Sequence, residues 1–406
     1  MIIGIVAAGY YKYFFSNQAY QWFAITILCI TIVETGSSGI YGLGTRAAAG
    51  RNLYLEQKAS ILAAKQKNAG FSRADITDPI LLDSAVYYDL KGVGLFSSTI
   101  PKSMQDFMNK LGFQTGTNKY KYIGATDITN MMLGVNQILD INTQNPGKLE
   151  IKANTFNLGL GFLVDPMIYH WNVKQQNPLE VQNDFVRRVT GSPLYEVKTL
   201  TPDKSVLEKS GRYVYQLYVP KDQTADIYIN AQNAHSITID GKVYTEDMNR
   251  VFQVDSAGDS RNIKIEVNGG MNVMSGCTAA VYPRQAVENL YKTLQRQQLE
   301  VTSSSSRTVN GVVSSDGNRT LFLSIPYDKG WTALVDGKRK NIQKVGDALS
   351  GIDMPKGKHR IQLKYVPPGL KTGLLITLCA GMLMAAGIVI ENDRKTQINI
   401  HSKGFK

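Results

Sequence analysis

Apolar positions along this chain fall into distinct regimes, and the two ends differ from the middle. Residues 373–390 (GLLITLCAGMLMAAGIVI) run for eighteen positions without a charge, at the lower edge of what crosses about 30 Å of hydrocarbon. The stem of Lys371 extends the run by snorkelling. Gly373, Gly381 and Gly387, with Ala380, Ala385 and Ala386, offer small faces for packing against other helices. Near the other end, 22–33 (WFAITILCITIV) is apolar until Glu34 interrupts it. Residues 2–15, broken by Lys12, lack the cleavage pattern of a signal peptide and read as the stump of a further membrane helix. Lys12 and the tail cations Arg394, Lys395, Lys403 and Lys406 place both short ends on the cytoplasmic side. The chain then leaves the membrane near residue 36, stays outside to about 368, and returns.

Between the ends the period changes along the chain. Residues 53–69 and 103–111 have helical spacing; in the second, Met104, Phe107, Met108 and Leu111 share a face and Gly112 follows as a stop. Residues 159–173, with Pro166 inside, read as a buried strand and a turn. From 211 onward the period is two: Tyr213, Tyr215, Leu217 and Val219, then Ile227 and Ile229, then Ile263, Ile265 and Val267. A second alternating block occupies 306–366, after a polar helix at 285–299. Ile237-Thr-Ile-Asp-Gly-Lys242 matches Ala333-Leu-Val-Asp-Gly-Lys338, each followed about 25 residues later by an alternating strand, which predicts an internal repeat built on tight Asp-Gly hairpins.

These patterns predict an α+β membrane protein in which transmembrane helices flank a large extracytoplasmic domain ending in tandem antiparallel β-sandwich units. The expected segments are membrane helices at 1–42, a mixed α/β domain at 43–205, one β-sandwich unit at 206–283, a helix and linker at 284–305, a second β-sandwich unit at 306–368, a transmembrane helix at 370–391, and a cytoplasmic tail at 392–406.

Composition narrows the chemistry. The formal charge is +12, which suits an anionic envelope; no nucleic-acid-binding motif accompanies it. Cys29, Cys277 and Cys379 form no disulfide framework, which fits export in a Gram-positive bacterium. The four histidines have no metal-ligand spacing. No phosphate loop, dinucleotide fingerprint or nucleophile elbow is present. Asp75, Asp78, Asp83 and Asp89 cluster in sequence as a candidate paired-carboxylate site. Tyr327 and Trp331 flank the turn Asp328-Lys329-Gly330, and aromatics beside polar loops suit a sugar, whose faces are apolar and edges polar. The competing reading puts Trp331 in the β core and makes 355–358 a turn.

The stretch 324–373 carries a resemblance. Pro326-Tyr327-Asp328-Lys329-Gly330-Trp331, Val335-Asp336-Gly337-Lys338, Pro355-Lys356-Gly357-Lys358-His359 and Tyr365-Val366-Pro367-Pro368-Gly369 resemble the C-terminal signature of the YfhO family of bacterial membrane proteins. Phe96-Ser97-Ser98 and Leu133-Gly134-Val135 are also similar to family segments. The resemblance implies a polytopic membrane protein with a C-type glycosyltransferase fold, taking sugar from a polyprenyl-phosphate carrier and associated with glycosylation of lipoteichoic acid. It further implies a catalytic carboxylate in an early outer loop that is not found in this chain, so the chain reads as the C-terminal portion of such a protein. The expected partners are the lipid bilayer, a polyprenyl-phosphate sugar, teichoic acid and a transmembrane core on a separate chain, with no nucleic acid. No catalytic residue, metal or cofactor is expected; Tyr327, Asp328, Trp331 and His359 are the candidate glycan contacts. The alternative function is a non-enzymatic, membrane-anchored β-sandwich module that binds an envelope glycan or scaffolds a partner.

Overall fold

A computed structural model describes residues 17–45, 71, 73–77, 83–141, 149–204, 212–256 and 258–403, with 55, 57, 58, 61, 206 and 207 besides. The predicted hairpins form. Asp240 and Gly241 have φ of 50° and 81°, and Asp336 and Gly337 have 51° and 79°, so both turns need two residues at positive φ, which Asp-Gly supplies at least steric cost. They join Ile237 to Tyr244 across one hairpin and Ala333 to Lys340 across the other.

The repeat goes further than the turns. Ile239 faces Ile265, and Val335 faces Ile361; Tyr215 faces Ile265, and Gly311 faces Ile361. The Asp240 N–H donates to the Lys264 carbonyl at 2.9 Å, and the Asp336 N–H to the Arg360 carbonyl at 2.9 Å. One strand plan is thus used twice, displaced by 96 residues (240 to 336).

The two copies close differently. In the first, strands Gln223–Ile239 and Arg261–Pro283 run side by side, with register slips at Gln232/Ala234 and Ala234/Ser236. Such slips bend and twist a strand. The resulting six-stranded sheet carries a core of Ile227, Ile229, Ile237, Ile263 and Ile265. In the second, a five-stranded and a four-stranded sheet share one core. Val313, Ala333 and Ile361 come from the former, and Leu321, Leu323 and Ile352 from the latter. The edge strand of the four-stranded sheet is Gly161–Val164, which pairs with Arg319–Pro326. The second unit therefore borrows a strand from far upstream, and its core is not confined to 306–368.

Helices Lys102–Lys110, Pro178–Thr190 and Arg284–Gln295 fill the centre. The first buries Met104, Phe107 and Met108, as its spacing predicts. The third, polar in sequence, still buries Val287, Leu290 and Leu294 on one face. Trp171 meets Phe107 edge-on at 5.5 Å and Phe185 at 5.0 Å. Beside this core, Arg73–Thr77 lies parallel to Val135–Ile141, which pairs with Leu149–Ala153. Arg73 ties this small sheet to the second β unit, donating to the Leu133 carbonyl and to Ser324 Oγ at 2.6 Å.

The acidic cluster builds turns. Asp75 is buried and accepts N–H groups from Ile76 at 2.9 Å, from Gly94 at 2.7 Å and from Val93. Asp83 accepts the Phe96 N–H at 2.7 Å. Asp89 occupies a left-handed turn position with φ 53°; Asp78 lies outside the described residues. A carboxylate held by three backbone N–H donors, as Asp75 is, serves the fold.

The chain ends in the helix Leu370–Lys403, whose segment Leu370–Gly387 is, among the described residues, the one helix long and apolar enough to cross a membrane, by length and composition. The N-terminal helix Asn17–Thr45 holds a shorter apolar stretch, Thr26–Ile40, with Glu34 exposed. The expected stump at 2–15 and most of the helix at 53–69 lie outside the described residues.

Gly337 tests the hairpin assignment. A Cβ there would meet nothing within 4 Å, so the cost of Gly337→Val is the backbone alone. It should be about 1–2 kcal/mol, because a β-branched residue tolerates positive φ poorly. Urea unfolding of the whole chain in detergent measures it; unchanged stability would contradict the turn.

Candidate functional site

The predicted contacts divide. Tyr327, Asp328 and Trp331 line one recess of about 410 Å³, together with Lys329, Arg339 and Lys340. Trp331 is half-buried, packs against the core of the second unit, and lies 5.0 Å from the Tyr365 ring. It is thus partly the core plug and partly a wall of the recess. Asp328 accepts the Gly330 N–H at 2.6 Å. Lys344 stands 5.4 Å over the Tyr327 ring. His359 is not among the residues lining this recess. It bonds Asp336 at 2.7 Å and the Pro355 carbonyl at 3.2 Å, and with the Arg360 N–H it holds the Asp336 carboxyl below its usual range.

A larger cleft, about 660 Å³, lies between the three-stranded sheet and the first β unit. Asp127, in the first turn of helix Asp127–Leu133, forms part of its wall. Thr126 caps that helix by accepting the Thr129 N–H, while the Thr129 hydroxyl accepts the Thr126 N–H. Asp140 and Lys152, on neighbouring strands, pair at 2.6 Å, and Thr77 also donates to Asp140. These bonds from Lys152 and Thr77, with the charges of Lys152 and Lys242, outweigh burial and hold the Asp140 carboxyl below its usual range. From the first β unit come Tyr244, Phe252 and Gln253. The Arg250 guanidinium covers the Tyr244 ring at 5.0 Å and the Phe252 ring at 4.5 Å. Burial pushes the Asp127 carboxyl up to about 6; Asp255 adds to the rise and Arg284 opposes it. Behind the cleft, Asp226 is fully buried and accepts from the Tyr282 hydroxyl at 2.7 Å and from Gln253 Nε2 at 2.9 Å. Burial pushes it up to about 7.

The sequence reading missed this cleft. Its residues come from seven separated stretches between Thr77 and Arg284, and no spacing links Asp127 to Tyr244. The one local signal was the Thr126-x-x-Thr129 cap, which marks a helix start. Among the described residues no group of three or more His, Cys, Asp and Glu side chains is placed to hold a metal ion.

Residues 1–377 match the family described as "Bacterial membrane protein YfhO". The chain belongs to this family. The YfhO signature maps onto defined structure: 326–331 turns into strand Trp331–Val335, 336–337 is the second hairpin, and 365–369 leads into the C-terminal helix. The "Uncharacterized protein YfhO" of Bacillus subtilis (strain 168) is 38% identical over 63 residues, which cover 16% of this chain and 7% of that protein. Among solved structures, arabinofuranosyltransferase AftD from Mycobacteria aligns over 39% of this chain and 14% of its own, with 14% identity and a TM-score of 0.19. The conserved protein of unknown function PA5104 from Pseudomonas aeruginosa PAO1 aligns over 43% and 84%, with 11% identity and a TM-score of 0.15. Structural likenesses this slight bear no functional inference.

Proposed function

We propose that this chain is the envelope-facing part of a membrane glycosyltransferase-like protein and that it holds a glycan in the cleft between the three-stranded sheet and the first β unit. The YfhO membership supports the membrane setting. Leu370–Gly387 is then the membrane span, with residues up to about 368 outside and the tail inside. Polyprenyl-phosphate sugar and lipoteichoic acid are the donor and acceptor that the family resemblance implies.

One observation carries the glycan assignment: aromatic side chains and a balanced set of acids, cations and amides line the same open cleft. Sugars need an apolar face to stack on and polar groups at their edges. The recess at Tyr327, Asp328 and Trp331 suits a sugar less well, because its exposed charged groups, Lys329, Arg339 and Lys340, are all cations. Two carboxylates in or behind the cleft are held by the fold. Asp140 is engaged by Lys152 and Thr77, and Asp226 is sealed. This observation keeps the second reading, a non-enzymatic glycan-binding module, beside the first.

The test is binding of the purified whole chain, in neutral detergent, to a panel of hexose and N-acetylhexosamine oligosaccharides. We expect at least one to bind, and Asp127→Asn and Tyr244→Ala each to weaken it about tenfold, equal to ~1.4 kcal/mol. Melting curves check that both variants stay folded. If no oligosaccharide binds, or if both folded variants bind as the parent does, the cleft is not a glycan site.

A further inference from the structure

The recess around Trp331 lies where the domain meets its apolar helix. Trp331 is paired with Tyr365 across the sheet, and the Val366 N–H donates to the Gly330 carbonyl at 3.0 Å. Leu370, four residues beyond Val366, begins the helix whose apolar side chains are exposed along Leu370–Gly387. Lys340 returns toward the same end, because Lys338–Lys340 runs antiparallel to Trp331–Val335. The register thus brings the recess to the helix end of the five-stranded sheet.

Its chemistry is one-sided. Lys329, Arg339 and Lys340 are exposed, and among the described residues none has a carboxylate within ion-pair distance. The one acid in the recess, Asp328, accepts the Gly330 N–H. Paired aromatics beside exposed cations, a few residues along the chain from an apolar helix, match the layer order of a membrane surface: acyl chains, then the interface where Trp and Tyr settle, then the headgroup charge.

We propose that this recess binds the phosphate of an anionic phospholipid headgroup, with Lys329, Arg339 and Lys340 as its ligands and Trp331 and Tyr365 at the interface. The site is distinct from the glycan cleft. It rests on the reading that Leu370–Gly387 spans the bilayer, which brings a headgroup within reach. Three cations around one recess favour a phosphodiester over a neutral headgroup, and the adjoining apolar helix favours a lipid over a soluble anion.

The experiment uses the whole chain in nonionic detergent, with dihexanoyl phosphatidylglycerol as the probe and bound lipid counted by native mass spectrometry. The wild type should retain phosphatidylglycerol in preference to dihexanoyl phosphatidylcholine. The triple variant Lys329→Gln/Arg339→Gln/Lys340→Gln should bind at least about tenfold more weakly, by loss of headgroup attraction. The control Lys221→Gln/Lys356→Gln/Lys358→Gln removes the same charge elsewhere and should bind as the wild type does. Equal weakening in both triple variants would reduce the effect to net charge and overturn the site. Displacement of lipid by inorganic phosphate or soluble poly(glycerol phosphate) at equal phosphate concentration would overturn the lipid as ligand. Alkaline carbonate extraction of native membranes separates the underlying reading. Release of the chain overturns the span, whereas failed headgroup binding in detergent, where no span is needed, overturns the recess.

Discussion

Gly134→Ala should destabilise the protein by about 4 kcal/mol or more, well above an ordinary surface substitution. Gly134 caps the helix Asp127–Leu133 in the left-handed region, φ 67° and ψ 36°. That conformation alone disfavours a side chain by roughly 1 kcal/mol. The larger cost is steric. An added Cβ would stand 1.7 Å from the Gly159 carbonyl oxygen and 2.7 Å from its carbon. Both atoms are backbone, and Gly159 is itself held at φ 61°, so no rotamer change relieves the clash and the helix or the 159 segment must move. Gly241→Ala is the comparison, because that glycine also has positive φ but its Cβ would meet nothing within 4 Å; it should lose about 1 kcal/mol. Asp127 lies at the start of this helix, and Val135 opens the strand that bears Asp140. Glycan binding should therefore fall together with stability. Urea unfolding of the two variants in detergent decides it; a Gly134→Ala protein within about 1 kcal/mol of the parent would contradict the close approach.

Folding stability should fall as pH rises from about 4 to about 7. Burial holds the Asp226 carboxyl up at about 7 and the Asp127 carboxyl at about 6, whereas an unfolded aspartate titrates near 3.9, roughly the value in a free peptide. The folded state therefore binds protons more tightly in this window. Its advantage is complete below the unfolded value, shrinks as pH rises, and is gone once pH passes the folded values. For the fully buried Asp226 the change is on the order of a few kcal/mol. Asp226→Asn stays neutral throughout. Its amide oxygen can still accept the Tyr282 hydroxyl, while Gln253 turns its own oxygen toward the new amide N–H. The variant should flatten the dependence and be the more stable protein above pH 7. Urea midpoints across the range, for parent and variant, measure both. A parent whose stability rises over this window would refute the assignment.

His359 illustrates where sequence proximity misleads. It belongs to the same signature stretch, yet it lies six positions before Tyr365 along an extended strand, a distance of roughly 20 Å at about 3.3 Å per residue. Tyr327 and Trp331 share a recess because a turn, not a strand, lies between them.

What the sequence determined by itself was local. The Asp-Gly dipeptides fix their own positive φ, so both hairpins and the repeat were legible in single residues. The spacing of Met104, Phe107 and Met108 fixed a helix face, and eighteen uncharged residues marked the apolar C-terminal helix. Tertiary structure decided the partners. Strand Gly161–Val164 is apolar on both faces and buried throughout, a pattern that names no neighbour, and only the shared core made Arg319–Pro326 its partner. The slips in Gln223–Ile239 follow from pairing with Arg261–Pro283, not from its own residues. The cleft is the far case: Asp127, Lys152 and Tyr244 meet because three separate elements pack together. Alternation sets which face a side chain takes, but register and packing, summed over distant contacts, set which side chains meet.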